Sequence, residues 1–83
     1  MIGYVIEITL LAEGLTQDFV VPPSMQIGEL AQLSAKAFNM LTSSRYQVSP
    51  QPILCWKQTG RILDPNQVIQ QTEVRNGAHL ILY

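Results

Sequence analysis

The first part of the chain carries hydrophobic residues at every second position, which is the pattern of a β-strand with one buried face. Within 4–11 the even-numbered residues are apolar, and the turn signal Glu13-Gly14 follows. A second alternating run covers 15–21 and stops at Pro22-Pro23, since proline cannot donate to a strand ladder. Two such runs joined by a short glycine-containing turn predict a β-hairpin.

The apolar spacing becomes helical after the two prolines. Ser24 is a candidate helix start. The positions beyond it predict one buried stripe of about three turns, formed by Ile27, Leu30, Ala31, Leu33, Ala37, Phe38 and Leu41. The solvent side is expected to carry Gln32, Ser34 and Lys36. Gly28 in the first turn costs about 1 kcal/mol relative to alanine, so tertiary packing must stabilise this helix start.

The second half of the chain predicts short elements separated by loops. Residues 42–52 hold two prolines and several serines, which favour a long loop. Strands are expected at 53–57, 61–63 and 78–83, with a helical turn near 68–69 and a tight turn at Asn76-Gly77. This order predicts an α+β domain in which a mixed four- to five-stranded sheet packs on one α-helix. We expect residues 1–83 to form that single domain.

Composition narrows the expected partners and location. Of the 83 residues, 47% are hydrophobic and 13% are charged, with a formal net charge of −1. Disorder is excluded, because disordered chains are apolar-poor and charge-rich. Nucleic acid is not an expected partner, because its recognition requires a basic surface. The sequence has no secretory signal and no apolar run of roughly 18 residues. We therefore expect a cytoplasmic protein without direct membrane insertion.

The chain offers little for catalysis, metal binding or a cofactor. Cys55 is the one cysteine and His79 the one histidine, and the six acidic residues are scattered singly. Cys55 is expected to be a small buried hydrophobe and His79 a solvent-facing strand residue. We therefore predict no catalytic residue, no metal site and no cofactor, and a protein that is not an enzyme.

Several short motifs resemble the ubiquitin-like β-grasp over nearly the whole chain. The hairpin ends in Val-Val-Pro-Pro-Ser before an Ile-x-x-Leu helix, as ubiquitin runs through valine and Pro-Ser into its helix. The stretch 60–64, Gly-Arg-Ile-Leu-Asp, is similar to ubiquitin's Gly-Lys-Gln-Leu-Glu, and 79–82, His-Leu-Ile-Leu, is similar to its His-Leu-Val-Leu. The resemblance implies the ubiquitin-like fold, whereas a fold by itself implies no particular function.

A closer resemblance is to the YukD/EsaB group, which are small bacterial ubiquitin-like proteins encoded with type VII secretion systems. The features are the chain length, the long loop before the third strand, and the ending Val74-x-Asn76-Gly77-x-x-Leu80-x-Leu82. The resemblance implies a cytosolic accessory or regulator of the secretion machine that works by binding protein partners, including secretion components.

The last residues bear on covalent conjugation. Ubiquitin and the sulfur carriers need a flexible Gly-Gly tail, because only glycine lets the backbone pass the narrow activation channel. This sequence ends on Leu82-Tyr83, so we expect no conjugation. Two alternatives stay open: a modifier or sulfur carrier whose tail lies beyond this sequence, and an adaptor domain excised from a larger protein.

The sheet face away from the helix is the expected binding surface. The ubiquitin-like register points Ile53 and Cys55 to the helix, and it places five residues outward as the predicted protein-binding site: Leu54, Trp56, His79, Ile81 and Tyr83. A one-residue slip in register would reverse each facing and put Trp56 in the core, and the 42–52 loop is a candidate cover for this surface. A homodimer, through this face or through an edge strand, is also compatible with the low charge.

Overall fold

The computed structural model describes residues 3–83 as one four-stranded sheet with one α-helix across one face. The elements are β1 (Tyr4–Leu10), β2 (Leu15–Val21), α1 (Ile27–Leu41), β3 (Leu54–Trp56), a 3₁₀ turn (Ile69–Gln71) and β4 (His79–Leu82). The strand order is β2-β1-β4-β3. Strands β1 and β4 are parallel, and the other two pairs are antiparallel. The expected mixed sheet on one helix is confirmed, with four strands rather than five.

Helix α1 begins later than the sequence suggested. Its first residue is Ile27 and its N-cap is Gln26, not Ser24, and the Glu29 carboxylate accepts a hydrogen bond from the Gln26 N–H at 3.3 Å. Gly28 donates its N–H to the carbonyl oxygen of Pro65 at 2.9 Å. A Cβ at Gly28 would lie 3.0 Å from that same oxygen. Glycine therefore permits the close packing that holds the helix start.

The buried stripe of α1 is rotated from the predicted one. Ser34 and Ala35 are fully buried, whereas Leu33 and Leu41 are exposed. Burial of Ser34 is tolerated because its hydroxyl donates a hydrogen bond to the carbonyl of Leu30 at 2.8 Å, as a buried hydroxyl requires. The prediction that Ser34 faces solvent is wrong, and a hydrophobic flank of the helix is left outside the core.

The segment between α1 and β3 contributes to the core through Tyr46, which is buried. The Tyr46 N–H donates to the Thr42 hydroxyl at 3.0 Å, and Asn39 donates its side-chain amide to the Tyr46 carbonyl at 2.7 Å. The phenolic oxygen of Tyr46 is buried without a hydrogen-bond partner within residues 3–83. Burial raises the pKa of this hydroxyl above its ordinary value.

Removing this hydroxyl is expected to stabilise the protein. Tyr46→Phe should raise the free energy of unfolding by about 1 kcal/mol, because an unpaired buried polar group costs roughly 1–3 kcal/mol. Urea unfolding measures the change, with Tyr4→Phe at a half-buried tyrosine of β1 as the control, expected to change stability little. A loss of stability in Tyr46→Phe would show that the hydroxyl is satisfied in solution.

The strands predicted in the second half of the chain are shorter than expected. The proposed strand at 61–63 is reduced to a single antiparallel bridge between Cys55 and Ile62. The turn at Asn76-Gly77 is present, and Gly77 has a φ of 90°. The Asn76 side chain accepts a hydrogen bond from the Val5 N–H at 2.7 Å, which ties this turn to β1. Within the described part of the chain, no helix has the length and hydropathy of a membrane span.

Candidate protein-binding face

The pairing of β3 with β4 decides which side chains face away from the helix. Leu54 pairs with Leu82 and Trp56 pairs with Leu80. Both leucines of β4 are fully buried against α1, and directly paired residues share one face of a sheet. Leu54, only 1% exposed, is therefore a core residue, and the partly buried Trp56 packs against the core from the same side. The prediction that Leu54 and Trp56 point outward is wrong.

The same register places the other members of β3 outward. Cys55 pairs with Ile81, and the Tyr83 N–H donates to the carbonyl of Ile53 at 2.9 Å, which puts Ile53 opposite Tyr83. Ile53 and Cys55 thus lie on the outer face, not toward the helix as expected. For His79, Ile81 and Tyr83 the predicted outward facing is confirmed, because they alternate with the buried Leu80 and Leu82.

The outer face carries a compact apolar surface, which we call the outer patch: Ile53, Ile62, Ile81 and Tyr83. Ile62 joins it because it bridges to Cys55, the residue paired with Ile81. Ile53 is 40% exposed, Ile62 63% and Tyr83 51%, while Ile81 is partly buried. Three large side chains this exposed, side by side on a small domain, are typical of a protein-interaction surface.

Cys55 lies beneath the outer patch and is fully buried. Burial raises the pKa of its thiol above the ordinary value, and a hydrogen bond with the Tyr83 side chain opposes this in part. A nucleophilic cysteine requires a lowered pKa and access to solvent. Cys55 has neither, and its buried side chain lies under the outer patch, paired with Ile81.

A cluster of charged and polar side chains borders the patch. The Glu7 carboxylate oxygen Oε2 accepts a hydrogen bond from His79 Nδ1 at 2.6 Å and lies 3.9 Å from Lys57 Nζ. Glu7 lies in β1, His79 in β4 and Lys57 directly after β3, and all three are solvent-accessible. The arrangement gives the apolar surface a polar rim, as protein interfaces commonly have.

An uncharged groove continues the patch around the edge of the sheet. It has a volume of about 440 Å³ and runs between the start of α1 and the segments at 50–54 and 62–65. Ile53 and Ile62 belong to both surfaces, and the lining is mainly aliphatic side chains and prolines, including Ile27, Ala31, Pro50, Pro52 and Pro65. A partner on the outer patch could therefore also reach this groove with an apolar side chain.

Comparison with solved structures identifies the fold. A designed protein based on ubiquitin superposes with a TM-score of 0.69 over 98% of this chain and 87% of that chain, at 23% identity. The EccD5 ubiquitin-like domain from Mycobacterium xenopi superposes with a TM-score of 0.77 over 98% of this chain and 92% of that chain, at 22% identity. The chain has a ubiquitin-like β-grasp fold.

A third similar structure is a chain of an ESX-5 inner membrane complex, with a TM-score of 0.81 at 15% identity. The alignment covers 100% of this ubiquitin-like chain and 21% of that chain, so it spans about a fifth of the larger protein. No protein-family model matches the sequence, and no curated protein matches it. At these identities the similarity establishes the fold alone.

Two members of the outer patch, Ile53 and Ile62, were missed by the sequence analysis. Ile53 opens an uninterrupted apolar run, Ile53-Leu54-Cys55-Trp56, in which no polar residue marks the solvent side. Ile62 sits between Arg61 and the buried Leu63, and this alternation was the available signal that it faces outward.

Proposed function

We propose that this chain is a non-catalytic ubiquitin-like module that binds a protein of a bacterial type VII secretion apparatus through the outer patch. It would act in the cytoplasm as an accessory or regulator, as the resemblance to the YukD/EsaB group implies. The observation that carries the proposal is the joint exposure of Ile53, Ile62 and Tyr83 on one sheet face. The likeness to the EccD5 domain supports the choice of the secretion apparatus over other settings.

Binding would follow from burying the patch. Isoleucine and tyrosine side chains contribute apolar contact area, and tyrosine also offers a hydroxyl at the edge of the contact. Ile81 lies in β4, the Tyr83 N–H is bonded to the Ile53 carbonyl, and Ile62 is bridged to Cys55, so these residues are held in place and little conformational entropy is lost on association. Lys57 and Glu7 at the rim would set the orientation of the partner more than the affinity.

The chemistry of the titratable groups supports a binding role over catalysis. Cys55 is buried with a raised pKa, which suppresses the thiolate that nucleophilic attack needs. His79 is held by Glu7 on an open surface, and among residues 3–83 neither a serine nor a cysteine is hydrogen-bonded to it as a nucleophile.

The proposal predicts which substitutions abolish partner binding. A tagged wild-type protein purified gently from native lysate is expected to retain membrane subunits of the secretion apparatus, and Ile62→Asp/Tyr83→Asp is expected to lose them. Met40→Asp is the matched control, since Met40 is 79% exposed on the helix, away from the patch. The proposal fails if the double variant retains the same subunits, or if the control loses them equally.

Elution under full denaturation separates the module from a covalent modifier. A non-covalent module leaves no partner attached after denaturation. A species of raised mass that survives denaturation would instead identify a conjugated protein and would overturn the proposal.

A further inference from the structure

Strand β2 is the open edge of the sheet, with β1 on one side and no strand on the other within residues 3–83. The Glu7 N–H donates a hydrogen bond to the Ala78 carbonyl at 2.9 Å, and the Val5 carbonyl accepts one from the Gly77 N–H at 2.7 Å. The main-chain groups of the odd-numbered residues of β1 therefore point toward β4. The even-numbered residues then bond to β2, because main-chain groups alternate in direction along a strand. The main-chain groups of Thr16, Asp18 and Val20, opposite those odd-numbered residues, therefore point away from the sheet.

The flank of α1 next to this edge is apolar and uncovered. Leu33, Ala37 and Met40 follow one another at helical spacing outside the core stripe, and Leu33 and Met40 are exposed. A groove of about 400 Å³ separates this flank from β2 and is lined by Phe19, Ala37, Met40 and Leu41, together with Gln17 and Asp18. The open strand edge and the bare helix flank thus form one continuous surface.

We propose that two copies of this chain associate through their β2 strands, antiparallel about a twofold axis at Gln17. This contact goes beyond the proposed function, because it leaves the outer patch of each copy free. Thr16 lies opposite the partner's Asp18, and each such pair exchanges two main-chain hydrogen bonds. The two four-stranded sheets become one sheet of eight strands.

The side chains disfavour two other registers. An axis at Asp18 would set two carboxylates opposite each other, which is unfavourable. An axis at Phe19 would set Asp18 opposite the partner's Val20 and Thr16 opposite the partner's Pro22, which has no N–H to donate. With the axis at Gln17, Leu15 lies opposite the partner's Phe19, and Asp18 lies opposite a threonine.

A second copy fits this surface for two reasons. An antiparallel strand satisfies the open groups of β2, and β2 itself has the complementary spacing of donors and acceptors. The same rotation places both helices on one face of the joined sheet, with the exposed Leu33 and Met40 of each copy on the flank that faces its partner. The net charge of −1 on each copy opposes the approach only weakly.

The dimer is tested by sedimentation with an isosteric charge change at the axis. The wild type is expected to shift from 9.3 kDa to twice that mass as its concentration rises. Gln17→Glu places two carboxylates face to face and should weaken association by about tenfold or more, with partial recovery at high salt. Gln32→Glu, on the opposite flank of α1, is the matched control and should leave association unchanged. Equal unfolding midpoints would establish that both variants are folded.

A cysteine at the axis tests the register independently. Directly opposed residues in a non-hydrogen-bonded pair have Cα atoms about 4.5 Å apart, which lies within the disulfide range. Gln17→Cys should form a disulfide-linked dimer under mild oxidation, whereas Phe19→Cys should form it slowly, and the buried native Cys55 should not react. A monomer at every concentration, a dimer insensitive to Gln17→Glu, or preferential cross-linking at Phe19→Cys would each overturn the proposal.

Discussion

Leu54→Ala is expected to destabilise the protein by about 2–5 kcal/mol, which is the usual cost of deleting a large core side chain. Leu54 is 1% exposed, pairs with the buried Leu82 and belongs to the core between sheet and helix. Domains are stabilised by only about 0.05–0.15 kcal/mol per residue, so this loss is a large fraction of the total.

The matched variant is Ile62→Ala on the outer patch. Ile62 is 63% exposed, so its truncation should change the free energy of unfolding by about 0.5 kcal/mol or less. Chemical denaturation of both variants gives the comparison. If Leu54→Ala proved as mild as Ile62→Ala, the facing of β3 described above would be wrong, and the original prediction of an outward Leu54 would be restored.

The second large effect concerns the reactivity of Cys55. In the native protein we expect alkylation of this thiol to be slower than in the urea-unfolded chain by about a hundredfold or more, as for a site that reacts only after opening. Two causes act together: the side chain is fully buried, and burial raises the pKa of the thiol, so less thiolate is present at neutral pH.

Tyr83→Ala should raise the alkylation rate of Cys55 in the native protein without unfolding it. Tyr83 lies opposite Ile53 on the outer face that Cys55 shares, and its side chain lowers the pKa of the thiol. Its removal is therefore expected to open the patch above Cys55. Rates of iodoacetamide labelling, measured beside the thermal unfolding midpoint, distinguish local exposure from global unfolding. Unchanged protection in Tyr83→Ala would show that other residues cover Cys55.

The raised pKa also sets a pH dependence of stability. The folded state holds the thiol proton more tightly than the unfolded chain. The contribution of Cys55 to the free energy of unfolding is therefore fully present at a pH below the pKa of the unfolded thiol. It declines as the pH rises beyond that value, about 8.5 for an unfolded cysteine. The native labelling rate should accordingly rise at a higher pH than the rate of the unfolded chain.

The sequence predicted the architecture because several local signals agree. Strict alternation defines β1, the two prolines end β2, and the Asn76-Gly77 turn precedes β4, where the buried Leu80 and Leu82 alternate with outward residues. Each of these patterns is compatible with only one secondary structure and one choice of buried face. The strands β1, β2 and β4 and their facings could therefore be derived without coordinates.

The register of β3 could not be derived in the same way. Four consecutive apolar residues, 53–56, satisfy either facing, and the choice depends on pairing with β4, which is a tertiary contact. The helix shows the same limit. Leu33 was assigned to the buried stripe because it is hydrophobic, but the side of the helix that packs on the core carries Ser34 and Ala35, and Leu33 is exposed. The predicted outward facing was therefore confirmed for His79 and Ile81 in β4 and wrong for Leu54 and Trp56 in β3.

The direct test of the outer patch is site-specific photo-crosslinking in the native cell. A photoreactive amino acid at position 62 is expected to give denaturation-resistant adducts that contain a secretion subunit. The same group at position 40, on the helix flank, is expected to give no such adduct and at most an adduct with a second copy. Secretion-subunit adducts from position 40 and none from position 62 would contradict the account, because the partner would then bind a different face of the domain.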